Sequence, residues 1–260
     1  MREARGRPAV EARGAASVYG LHAVRIMLER HPERVSAIRL SERREDPMIR
    51  RIEELARAAG VPVQRVDAQV LRQKLGEAAH QGVLAEISAL APWSEDQLLS
   101  ALQSARQPLL LALDGVQDPH NLGACLRVAD AMGAHAVIAP KDRAAGLGAV
   151  AIKASSGAAD SVPYIPVTNL ARSLRELKER GILIVGTDQD GALAVSEADF
   201  SGAAALVLGA EGEGMRRLTR EHCDVLVRIP MFGQVESLNV SVSAGVCLYE
   251  ARRQRSLLER

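Results

Sequence analysis

The run Leu109-Leu-Leu-Ala-Leu-Asp114 limits the possible folds more than any other stretch of the chain. Five consecutive apolar residues end on an acid, with no polar alternation. A strand with one face in water alternates. A wholly apolar strand is covered on both faces, which in an open sheet means parallel strands under helices. The downstream sequence has the pattern such a sheet needs. Helical periodicity over 121–132, 147–154 and 169–180 is interspersed with short apolar runs at 135–139, 182–186, 204–208 and 225–229. A short helix near 214–221 and a long one over 239–253 complete the set. This alternation predicts an α/β fold with a mostly parallel sheet.

A smaller alternating unit precedes it. Leu21, Val24, Ile26 and Leu28 predict a helix ending near His31-Pro32. Strands are expected at 35–40, 61–66 and 82–87, and helices at 49–59 and 70–75. Residues 17–90 therefore read as a small α/β domain able to fold alone. Residues 1–16, rich in Arg, Ala and Gly, read as a disordered arm. Residues 91–107 are the linker candidate, and Ser94 is placed to cap a short helix with Glu95 and Asp96 in its first turn. Residues 108–260 form the larger domain.

Composition excludes several functions. The net charge is +1 in 260 residues, so no global field steers the chain to nucleic acid, and RNA contact must come from local patches. Aromatic residues are 2% of the chain, too few for a platform that stacks successive bases. Cys125, Cys223 and Cys247 have neither metal-ligand spacing nor an even count, which points to reduced thiols, a cytoplasmic protein and no metal. No apolar run approaches a membrane span, so no membrane partner is expected.

Three polar clusters interrupt the larger domain. In Asp114-Gly-Val-Gln-Asp-Pro-His-Asn-Leu-Gly-Ala-Cys-Leu-Arg127, Asn121 stands where a helix cap is expected. Gly123 and Ala124 leave one flank of Arg127 clear for a phosphate or ribose, and an Arg127–Asp130 surface pair is the competing reading. In Leu208-Gly-Ala-Glu-Gly-Glu-Gly-Met215, glycines 209, 212 and 214 permit close backbone approach to a ligand. The dinucleotide pattern fails there at Arg217, and the P-loop pattern fails at Met215-Arg216. Glu211 would also repel phosphates, so the loop suits a ligand without a phosphate chain. In Ile229-Pro-Met-Phe-Gly-Gln-Val-Glu-Ser-Leu-Asn239, Ser237 and Asn239 flank Leu238 and are expected to project together, and either could cap the last helix.

Together the clusters resemble the SpoU (TrmH-like) family of RNA 2′-O-ribose methyltransferases, in the SPOUT superfamily. Asn121 with Arg127 six residues on is similar to the family's first motif. Leu208, Gly209, Glu211 and Gly214 are similar to its second, and Ile229 through Ser241 to its third. The longer strings look like the bacterial subgroup that methylates a guanosine ribose in the peptidyl-transferase P-loop of 23S rRNA (Gm2251-type). Val18-Tyr-Gly-Leu-His22 and His80-Gln-Gly-Val83 resemble that subgroup's substrate-binding domain, which is similar to ribosomal protein L30e. Glu236 departs from the subgroup, which usually has a small residue there.

The resemblance implies S-adenosylmethionine as cofactor, a trefoil knot in the C-terminal domain, a homodimer with active sites shared between subunits, and 23S rRNA as partner. It implies cofactor contacts from Gly209, Ile229 and Leu238. The implied catalytic residues are Asn121, Arg127, Glu211, Ser237 and Asn239, with Arg127 serving the partner's cofactor. A guanidinium is almost never neutral, so Arg127 is read here as a phosphate clamp that stabilises a developing alkoxide rather than as a base. Glu211 is expected to orient Arg127 or its neighbours. The small residues Ala244, Gly245 and Cys247 suggest that the last helix and helix 121–132 form much of the dimer interface. Competing readings are a tRNA 2′-O-methyltransferase, a non-catalytic ribosome-associated RNA-binding protein, and a dinucleotide-dependent oxidoreductase. The last fails because no glycine-rich turn follows the first strand.

Overall fold

In a computed structural model of the chain, residues 15–42, 44–76, 80–88 and 91–258 are described. They fall in two compact units, Met1–Ala89 and Leu90–Arg260. The disordered-arm expectation lies largely outside the described residues, but Ala15 and Ala16 belong to a strand.

The first unit contains β1 (Ala15–Tyr19), α1 (Leu21–Arg30), β2 (Val35–Ser41), α2 (Pro47–Ala58), β3 (Val63–Val66), α3 (Ala68–Leu75) and β4 (Val83–Ser88). Its sheet runs β1-β4-β2-β3, antiparallel except for the β2–β3 pair. Asp46 starts α2 by accepting from the Met48 and Ile49 amides, with Pro47 in the first helical position. Ile49, Ile52 and Ala56 then face Ile38, Leu40, Val83 and Ala85 of the sheet in one apolar cluster.

The second unit contains α4 (Glu95–Leu102), β5 (Leu109–Asp114), α5 (Pro119–Ala131), β6 (Ala136–Pro140), α6 (Ala149–Ala154), α7 (Ala158–Ser161), β7 (Tyr164–Val167), α8 (Leu170–Glu179), β8 (Leu183–Thr187), β9 (Leu193–Ala194), β10 (Ala204–Gly209), α9 (Arg217–Glu221), β11 (Val225–Arg228) and α10 (Val240–Leu258). Its seven strands lie in the order β7-β6-β5-β10-β8-β11-β9, and every neighbouring pair is parallel.

The apolar run of β5 is the reason for this architecture. Leu109, Leu111 and Leu113 pack on one face with residues of α5 and α10. Leu110 and Ala112 pack on the other with Leu170, Leu174 and Leu177 of α8 and Leu98 of α4. All six residues of β5 are buried. Each apolar side chain so enclosed contributes about 1.5–3 kcal/mol relative to exposure.

The segment expected to be a linker is part of this unit. Ser94 does cap α4, through a reciprocal bond with Gln97. Yet Glu95 also accepts from Arg172 and from Ser173 of α8, so α4 is a packed helix of the second layer.

Candidate active site

The site is assembled at the carboxyl ends of β5, β8, β10 and β11, the edge at which parallel sheets receive ligands. At the end of β5 the Asp114 carboxylate is wholly buried. Its Oδ2 accepts from the Arg216 amide at 2.8 Å, and its Oδ1 lies 3.6 Å from Arg216 Nε. This carboxylate therefore holds the far end of the glycine-rich loop.

Asp118, not Asn121, caps α5, accepting from the His120 amide at 2.8 Å with Pro119 in the first position. The cap lies three residues before the one expected at Asn121, because Asp118-Pro119 is itself a helix start. Asn121 is thereby released from capping. Its Oδ1 accepts from Asn239 Nδ2 at 3.0 Å, and the same Nδ2 donates to Glu211 Oε1 at 2.7 Å. Glu211 also accepts from the Val240 amide at 3.2 Å, placing a carboxylate on the positive end of the 19-residue α10. Asn239 in turn caps α10, its Oδ1 accepting from the Ser241 amide at 2.9 Å and hydroxyl at 2.6 Å. One residue from each of the three motifs thus meets at a single point.

The glycine-rich loop is closed on itself. Ala210 and Gly214 form an isolated β-bridge, and a Cβ on Gly209 would overlap the Gly214 carbonyl carbon and the Met215 amide. The close approach that Gly209 permits is first to its own loop. Gly212 and Gly214 take φ of 80° and 68°, which side chains resist.

This loop and the 229–239 segment wall a cavity of 870 Å³. Gly209, Ile229, Leu238 and Ser237 all line it, with Asp188 and Glu236. Ser237 and Leu238 therefore share the cavity while Asn239 turns away to Asn121 and Glu211. The expected common projection of Ser237 and Asn239 is not seen: Asn239 is drawn to the start of α10, which it caps, whereas Ser237 lines the cavity. Asp188 was not anticipated, although it lies just beyond β8. Its Oδ2 accepts from Arg220 Nε at 2.7 Å, and that bond holds its carboxyl below the ordinary aspartate value. Burial pushes the thiols of Cys125, Cys223 and Cys247 up to about 12, so none is poised as a thiolate.

Arg127 lies apart from this cluster. Six residues along a helix advance about 9 Å and turn the side chain well away from that of Asn121. Its guanidinium is exposed and donates to Ser156 Oγ at 3.4 Å, while Asp130 accepts from Ser161 at 2.6 Å. The alternative Arg127–Asp130 pair is not formed. Nor does Gly123 leave an open flank, since a Cβ there would overlap the Ala151 carbonyl and Ala154 of α6. Glu211 is committed to Asn239 and α10 rather than to Arg127.

The cavity suits S-adenosylmethionine on chemical grounds. Leu208, Ile229 and Leu238 give it an apolar lining, and loop backbone offers donors and acceptors. Its acidic residues, with Arg220 bound to Asp188, favour a sulfonium over a phosphate chain.

The fold and site define the class of RNA 2′-O-ribose methyltransferases that use S-adenosylmethionine. Residues 108–249 match the SpoU rRNA Methylase family, and residues 17–93 match the RNA 2′-O ribose methyltransferase substrate-binding family. The chain belongs to the SpoU family. It is 52% identical over 243 residues to the 23S rRNA (guanosine-2′-O-)-methyltransferase RlmB of Pseudomonas aeruginosa, covering 93% of this chain and 98% of that one. It is 54% identical over 240 residues to the protein of the same name in Ralstonia nicotianae, covering 92% and 96%. Among solved structures it resembles the SpoU methyltransferase AviRb from Streptomyces viridochromogenes in complex with AdoMet. There the TM-score is 0.77 and the identity 29%, over 94% of this chain and 91% of that one.

Proposed function

We propose that this chain methylates the ribose 2′-hydroxyl of a guanosine in 23S rRNA, at the Gm2251-type position of the peptidyl-transferase P-loop. The observation that carries the reading is the junction of Asn121, Glu211 and Asn239 beside the 870 Å³ cavity. Likeness to the guanosine-specific 23S rRNA enzymes along nearly the whole chain supports the substrate.

S-adenosylmethionine, when bound, supplies an electrophilic methyl group. Gly209, Ile229 and Leu238 hold it, chiefly through backbone groups and an apolar wall. Glu211 and Asn239 fix the loop over the start of α10, and Ser237 faces the cavity where the ribose enters. Arg127 clamps the target phosphate and stabilises the alkoxide as the hydroxyl proton leaves to solvent.

Arg127 stands away from its own chain's cluster, which supports a homodimer in which it serves the partner's cavity. The small residues of α10 do not supply that interface: Ala244 and Cys247 are buried in the core, and Gly245 faces Val128 of α5. They let α10 and α5 approach within one chain. The interface we propose is the exposed stripe Val242, Val246 and Tyr249 at helical spacing on α10. The trefoil knot belongs to the same reading, supported by membership of the SpoU family.

Mapping 2′-O-methylation on rRNA from cells with and without the gene tests the substrate. Loss of one 23S guanosine mark is expected, and loss of a tRNA mark instead would replace this reading with the tRNA one. Sedimentation of wild type and Val246→Glu tests the dimer. A wild-type monomer with full activity would remove the role given to the stripe.

A further inference from the structure

The turn between α6 and α7 has a conformation that its sequence does not favour. Ser156 has φ of 52°, one of three non-glycine residues at positive φ among the described residues. Serine visits this region far less readily than glycine. The turn is nevertheless firmly held. Ser155, just before it, is fully buried, donates from Oγ to the Ile152 carbonyl at 2.7 Å and accepts from the Ala159 amide at 3.2 Å. Gly123 lets α5 sit directly on Ala151, Ala154 and Ser155. The outcome is an exposed Ser156 hydroxyl facing the Arg127 guanidinium, with Oγ 3.4 Å from Nη1.

A hydroxyl has two acceptor lone pairs and one donor hydrogen. Accepting from Arg127 uses one lone pair and leaves the O–H to donate. The guanidinium keeps its other N–H groups free. Two donors, one from α5 and one from the turn between α6 and α7, therefore converge on one point in solvent, which is the arrangement a phosphate oxygen requires. Asp130, the nearest acid along α5, accepts from Ser161 and forms no ion pair with Arg127 among the described residues.

We propose that Ser156 is a direct ligand of the RNA phosphate that Arg127 grips. This rests on the reading of Arg127 as a phosphate clamp and adds a second residue to that subsite. It also assigns the Ser155–Ser156 turn a use: it holds a hydroxyl where glycine alone would be easier to accommodate.

The probe is a synthetic hairpin containing the mapped guanosine, with each flanking phosphate replaced in turn by a neutral methylphosphonate. Ser156→Gly keeps the turn, since glycine accepts positive φ, and removes the hydroxyl. Ser156→Asp can still accept from Arg127 but places a negative charge against the phosphate. With native RNA, kcat/KM is expected to fall about tenfold in Ser156→Gly and at least about a hundredfold in Ser156→Asp, with S-adenosylmethionine affinity unchanged in both. At one flanking linkage the methylphosphonate lowers wild-type activity but lowers Ser156→Gly by a smaller factor. If Ser156→Asp matches or exceeds Ser156→Gly, the hydroxyl merely orients Arg127 and the proposal is overturned. Fully multiplicative losses at both linkages overturn it as well. The clamp itself is judged separately: if Arg127→Ala is also fully multiplicative with methylphosphonate at both linkages, the reading of Arg127 fails. Absence of methyl transfer to the native hairpin by wild type would count against the guanosine assignment instead.

Discussion

The two walls of the cofactor cavity are built in opposite ways. The wall from Gly209 to Arg216 is braced throughout: a β-bridge closes it, Asp114 holds its far end, and Glu211 ties its middle to α10. The wall from Pro230 to Leu238 makes no hydrogen bond among the described residues. It carries Phe232 at 96% exposure and Val235 at 63%, and it is secured at its ends by β11 and by the Asn239 cap. One wall is held by bonds of the chain itself. The other leaves donors, acceptors and apolar surface without partners among the described residues, the features of a segment of low local stability.

This contrast can be broken from the braced side first. Gly209→Val should prevent the loop from closing and weaken S-adenosylmethionine binding by at least about a hundredfold by calorimetry, because the side chain overlaps the Gly214 backbone. Asp114→Ala removes the buried acceptor of the Arg216 amide. It is expected to cost about 1–3 kcal/mol in urea denaturation and to weaken cofactor binding with it. Glu211→Gln keeps an acceptor but loses the charge at the start of α10. A loss of about 1 kcal/mol in stability is expected, with a larger fall in kcat than in cofactor affinity.

Asp188 is held below its ordinary value chiefly by its bond to Arg220. A depressed carboxylate contributes stability above its unfolded value and loses it as pH falls through the folded one. Arg220→Met should therefore move the acid limb of folding stability to higher pH, measured by urea denaturation across the acid range. On the open wall, Phe232→Ser is expected to change stability by less than about 0.5 kcal/mol, since the ring is almost fully exposed. A large loss there would show that the open wall is braced after all.

Much of this was legible in the chain. The apolar run of β5 announced its burial, and the motif residues Asn121, Glu211 and Asn239 could be named before their contacts were known. What escaped reading was local structure fixed by distant partners. β1 begins with two alanines and is a strand because β4, some seventy residues on, pairs with it. β7 contains Pro166, tolerated because this strand is the edge of its sheet. Ser156 meets Arg127 across 29 residues, a pairing no periodicity encodes. The glycines of the second motif suggested room for a ligand, whereas Gly209 is required first by its own loop.

The bonds that complete the site join residues far apart in sequence. Asn239 reaches Asn121 across 118 residues, and Arg216 reaches Asp114 across 102. At the other end of α10, the buried Arg255 donates to carbonyls of Gln107, Pro108, Phe200 and Gly202, the first of these across 148 residues. Closures of this span are slow steps in folding. A nascent chain still lacking residues 239–255 has translated every other strand and helix of the second unit, yet cannot join its first motif to its third. Catalytic competence is thus a late event in the protein's own synthesis, arriving only when α10 docks at both ends.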